Sequence, residues 1–167
     1  MVDIQTLQTI SIAIASAGIL VAAIYYVLQL RHQTRIRKTD LIMRLYLFYS
    51  SKEYQEALAR HLATDFKDYD DFVRKYGAIP TRSLDPNQVQ ISFQMVSTFF
   101  EGVGVLLSEK LLDINIVQKL FAVEVYWKKT EPLIGELRRQ LSPKLWEWFE
   151  YLYNEVKKRE QQLAKTK

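Results

Sequence analysis

Apolar residues run almost without interruption from Ile4 to Leu30, and from there to the C-terminus they recur at helical spacing. The first stretch holds no Asp, Glu, Lys, Arg or His and ends abruptly at Arg31-His32-Gln33-Thr34-Arg35-Ile36-Arg37-Lys38. As a helix rising about 1.5 Å per residue it reaches roughly 40 Å, more than the ~30 Å hydrocarbon layer requires. The pattern predicts a transmembrane anchor at residues 1–30 and a helical domain over 31–167, with a basic juxtamembrane segment at 31–44.

Beyond the anchor, Leu41, Leu45 and Phe48 form a stripe that leaves Arg37 and Arg44 to one side, so the first helix is expected to continue as one rod to about Tyr49. Ser50 with Glu53 reads as a capping box for a helix to about Ala63, and a shorter helix is expected from Tyr69 to Tyr76, stopped by Gly77. Gly77 to Leu84, with Pro80, reads as the longest loop. Asp85-Pro86, completed by Gln88, predicts the start of a long helix to about Lys110, with Val89, Phe93, Val96, Phe100, Val103 and Leu107 as its core stripe. Asp113 caps a further helix carrying Ile114, Val117, Leu120, Phe121 and Val125, with a kink or break expected at Pro132. Ser142-Pro143 repeats the cap-plus-proline start for a last helix, Lys144 to about Ala164, with Leu145, Phe149, Leu152 and Val156 inward and Trp146 flanking. The fold class is therefore all-α: an N-terminal transmembrane helix continuing into a bundle of about five to six cytoplasmic helices.

Faces and charges refine the anchor. Ser11, Ala15, Gly18 and Ala22 share one helix face, whereas Ile12, Ile19, Leu20, Ile24 and Val27 point elsewhere. Small residues let helix backbones approach in lipid, so this face is the expected helix-helix association surface of a homo-oligomer. Ala13-Ile14-Ala15 and Ala15-Ser16-Ala17 resemble signal-peptide cleavage sites, but Asp3 stands where a signal peptide carries Lys or Arg and the apolar run extends well past Ala17. Arg31, Arg35, Arg37 and Lys38 lie just beyond the span, which by the positive-inside rule puts the N-terminus outside the cell membrane and the domain in the cytoplasm. Arg31, Arg35 and Lys38 also share a face suited to anionic phospholipid head groups, alongside their role in fixing topology.

Candidate chemistry is sparse. The chain has no Cys and only His32 and His61, and it lacks phosphate-loop, dinucleotide, nucleophile-elbow and zincin motifs, so neither enzymatic activity nor a cofactor or metal is expected. Asp65, Asp68, Asp70 and Asp71 lack the Gly and ligand spacing of a calcium loop and read as carboxylates complementing a helix N-terminus. Lys and Arg number 23 against 19 Asp and Glu, a mild excess that favours an anionic surface; direct nucleic acid binding is not expected, because helical core packing accounts for the aromatics. Gly102 and Gly104 sit inside the long helix, where each costs about 1 kcal/mol relative to Ala, which predicts a close helix crossing. Glu101 beside them would be partly buried and paired with Arg138, Arg139 or a Tyr hydroxyl.

Phe100-Glu101-Gly102-Val103-Gly104-Val105-Leu106-Leu107, then Leu111-Leu112-Asp113-Ile114 and Tyr126-Trp127-Lys128-Lys129-Thr130-Glu131-Pro132-Leu133-Ile134, resembles a prokaryotic domain-of-unknown-function family of small single-pass membrane proteins. Glu101, Gly102, Gly104, Trp127 and Pro132 are the motif residues, and the family pattern assigns no catalytic role. The chain also resembles the membrane effectors encoded beside short Argonautes in archaeal antiviral systems. That resemblance implies abortive infection, with membrane depolarisation or permeabilisation triggered by an Argonaute-containing sensor complex. The alternative is a passive membrane-anchored adaptor that recruits a cytoplasmic partner complex.

Overall fold

The computed structural model describes residues 3–79, 85 and 88–165, with the side chains of 6, 7, 9–11 and 13 excepted. It is all helical, with seven helices and no strand among the described residues. They are α1 (Ile4–Tyr49), α2 (Lys52–Ala63), α3 (Tyr69–Tyr76), α4 (Val89–Ser108), α5 (Ile114–Leu120), α6 (Val123–Gln140) and α7 (Glu147–Lys165). Contacts divide the chain into two compact units, Met1–Met43 and Arg44–Lys167.

The first unit is the greater part of α1, which runs through the basic segment without a break because no Gly or Pro interrupts it after Gly18. Thr34 and Thr39 fold their hydroxyls back onto the carbonyls of Leu30 and Arg35, at 2.9 and 3.1 Å, and so satisfy themselves within the helix.

In the second unit α4 is central, packing chiefly on α7 and α2, with α6 against α7. Phe93, Val96, Phe100 and Val103 of its stripe are buried, together with Tyr54, Leu58, Phe72, Leu133, Leu137, Phe149 and Leu152. By length and composition α4 also passes as a membrane span, but this buried stripe makes it a core helix.

Several boundaries differ from the sequence pattern. The α2 cap is Ser51, whose side chain accepts from the Tyr54 amide, while the Ser50 hydroxyl turns back to the Leu47 carbonyl. Helix α4 begins at Val89, where the buried Gln90 amide donates to the Tyr76 carbonyl and pins the helix to the end of α3. Pro80 to Leu84 and Pro86 lie outside the described residues. Pro132 does not break α6; it is exposed, where water can satisfy the carbonyl that lost its donor. The break falls instead at Phe121-Ala122, because Phe121 takes an extended conformation (φ −129°, ψ 134°) and buries its ring against Tyr49 and Phe99 at 5.0 and 5.5 Å. Helix α7 begins at Glu147 rather than Lys144, and Trp146 is buried rather than flanking.

Candidate functional site

The residues of the expected anchor lie on an exposed helix. Ala15, Gly18 and Ala22 are exposed, and a Cβ at Gly18 would meet nothing within 4 Å. The side chain of Ser11 is outside the described residues. Arg31, Arg35, Arg37 and Lys38 are exposed as well, with Arg31, Arg35 and Lys38 on one face and Arg37 turned away from it. By length and composition α1 could cross a membrane, a test that a signal sequence near an N-terminus also passes.

The motif residues divide. Glu101, Gly104 and Trp127 converge on the first turn of α7. The Phe149 amide donates to Glu101 Oε2 at 2.8 Å and the Trp148 amide also bonds the carboxylate, so the partners of Glu101 are backbone amides rather than a guanidinium or phenol. Arg138 instead donates through Nε to the Leu145 carbonyl at 2.9 Å and pairs with Glu150 at 2.7 Å, while Arg139 pairs with Glu136 at 2.7 Å. Burial raises the Glu101 pKa, against the lowering effect of the two amides. A Cβ on Gly104 would overlap the Trp148 carbonyl oxygen, so the expected close crossing is real at this glycine. Trp127 closes the other side, edge-on to Phe149 at 5.0 Å and stacked on Tyr153 at 5.7 Å. Gly102 and Pro132 are exposed and take no part; a Cβ on Gly102 would meet nothing within 4 Å.

A second cluster surrounds His61, for which the sequence pattern offers no role. The ring is fully buried, tilted over Phe93 at 4.0 Å, with Nε2 3.4 Å from Thr130 Oγ1. Its Nδ1, the Tyr54 hydroxyl and the Ser97 hydroxyl are buried without a protein hydrogen-bond partner. Burial drives the His61 pKa down to about 3, so the ring is neutral at physiological pH. The spacing Tyr54, Ala57, Leu58, His61 marked the inward face of α2 and was the available signal.

The acidic run organises α3. Asp68 caps it by accepting from the Asp71 amide, and the Asp71 carboxylate accepts from the Lys67 amide at 3.2 Å and pairs with Lys75 at 3.0 Å. Those contacts, led by Lys75, hold the Asp71 pKa below its ordinary value. Among the described residues no group of three or more His, Asp or Glu is placed to hold a metal ion.

A family model described as a domain of unknown function matches residues 12–156. The chain belongs to the DUF4760 family. No curated protein and no solved structure matches it. The DUF4760 match begins inside the apolar part of α1 and ends at Val156 in α7, so it takes in Ala15, Gly18 and Ala22 but not Ser11, together with the basic segment and the cluster around Phe149. Within that span three carboxylates serve helix ends: Glu101 caps α7, Asp113 caps α5 by accepting from the Asn115 amide at 2.7 Å, and Asp71 ties together α3.

Proposed function

We propose that this DUF4760 protein is a single-pass membrane effector whose helical domain lies in the cytoplasm. It self-associates through the Ala15, Gly18 and Ala22 face and permeabilises or depolarises the membrane when a partner complex engages the domain. The observation that carries this reading is α1 itself: its exposed, charge-free span runs without a break into a basic collar and on to Phe48 and Tyr49 at the end of the helix. An uncharged span favours bilayer disturbance over selective conduction. The resemblance to Argonaute-associated effectors supports antiviral defence by abortive infection, with an Argonaute-containing sensor as trigger. In cells carrying a voltage-sensitive dye, induction of the protein with its neighbouring genes should collapse the potential, and Gly18→Leu with Ala22→Leu at equal expression should abolish the collapse. Unchanged depolarisation by the double variant overturns the mechanism.

A passive adaptor is the second reading, favoured by an apolar groove of about 450 Å³ on the domain, lined by Phe48, Ile91, Gln94, Met95, Thr98 and Phe99. An adaptor leaves the membrane potential intact at any expression level.

A further inference from the structure

The start of α7 carries a conflict between local sequence and tertiary contact. Ser142-Pro143 is a strong helix start, a capping hydroxyl followed by a ring whose fixed φ suits the first helical position. Yet residues 143–146 form turns, and the helix begins only at Glu147. In the turn Leu145 N donates to the Ser142 carbonyl at 3.0 Å and Glu147 N to the Lys144 carbonyl at 3.2 Å. Trp146, immediately before the helix, sits at φ 52°, the left-handed region that favours glycine and penalises a bulky residue. It is nevertheless buried, 7% exposed.

What holds this shorter helix is contributed by other elements. The Trp146 side chain has no oxygen with which to cap, and Glu101 of α4 supplies the acceptor, taking the amides of Trp148 and Phe149. Gly104, one turn further along α4, admits the Trp148 carbonyl where any Cβ would collide. Arg138 of α6 grips the Leu145 carbonyl and Glu150 on either side of the strained residue. Strain of this kind persists only where surrounding contacts hold it, and such positions cluster at switch regions.

We propose that residues 142–149 form a conformational latch. In the latched state Glu101 caps a short α7 at Trp148 and Phe149; when α4 withdraws Glu101, α7 winds back to the Ser142-Pro143 start and Trp146 leaves its left-handed conformation. The length of α7 thereby reports the position of α4, the helix on which it packs most extensively.

Amide hydrogen exchange on the full chain in detergent micelles tests this, because two outcomes diverge. In Glu101→Ala, simple loss of the cap leaves the Trp148 and Phe149 amides open to solvent, and their exchange rises about tenfold or more. A rewound helix instead keeps them protected through the carbonyls of Lys144 and Leu145. The latch predicts retained protection in Glu101→Ala, its loss when Ser142→Ala is added, and no effect of Ser142→Ala alone on these two amides. Fast exchange in Glu101→Ala, or protection that does not depend on Ser142, overturns it. Should Glu101→Ala not fold, Glu101→Leu, which fills the space but offers no acceptor, is read in the same way.

Discussion

The His61 ring lies 4.0 Å from the Phe93 ring at an interplanar angle of 31°, so a titratable base is packed as an aromatic core residue. Tyr126 meets the same imidazole edge-on at 6.0 Å, and Thr130 faces its Nε2. Protonation would put an unsolvated charge into this stack. The spacing of Tyr54, Ala57, Leu58 and His61 along α2 is consistent with an inward position, but only the three-helix packing of α2, α4 and α6 buries the whole ring.

This packing makes stability depend on pH in a defined direction. The unfolded chain takes up a proton at His61 below about 6.5, whereas the folded chain resists until about pH 3. Stability is thus fully present above 6.5 and falls by about 1.4 kcal/mol per pH unit as pH drops through that window. Chemical denaturation at pH 7 and pH 5 should differ by about 2 kcal/mol, and His61→Phe should remove most of the difference. A slope unchanged by the substitution would place its origin elsewhere.

Two glycines two positions apart, Gly102 and Gly104, should respond to Ala with opposite signs. At Gly104 the new methyl group meets the Trp148 backbone, which has no rotamer to yield, so a loss of about 1–3 kcal/mol is expected. At Gly102 the methyl group meets nothing, and the helix propensity of Ala should add about 1 kcal/mol. Thermal melts of the two single variants decide the matter; equal effects would refute the close approach.

The contrast between these glycines shows what was legible in the sequence and what was not. Period and punctuation revealed the all-helical fold, the run of α1 into the basic segment, the central place of α4 and the α3 stop at Gly77, whose φ of 91° requires glycine. A crossing at the glycine pair was also legible, but not which of the two it used, since that depends on the azimuth of α7. Glu101 was recognised as needing a partner, yet a backbone amide leaves no trace in a pattern of side chains. The failures at Ser142-Pro143 and Phe121-Ala122 share one cause: buried Trp146 and Phe121 draw the backbone out of helical conformation, and local signals do not register that pull.

Pro132 offers a separate test of helix energetics. Because α6 passes through it unbroken and the residue is exposed, Pro132→Ala should supply the missing amide to the Lys128 carbonyl without disturbing packing. Subtracting the unfolded-state entropy that proline removes leaves an expected gain of about 2 kcal/mol, read as a higher midpoint of unfolding. Destabilisation would mean that the ring itself makes a contact the helix needs.

The basic collar carries the last prediction. Arg31, Arg35 and Lys38 are exposed on one face of α1, where each cation near an anionic surface contributes about 1 kcal/mol. Changing all three to Gln leaves the apolar span intact, so insertion into neutral vesicles should be unaltered. Preference for anionic over neutral vesicles should fall by about a hundredfold at low salt, and by less as screening rises. Arg37, on a different face, is the internal control: Arg37→Gln alone should change the preference less than any one of the other three. If the triple variant partitions between phosphatidylglycerol and phosphatidylcholine vesicles as the wild type does, the collar sets topology and has no role in selecting lipid.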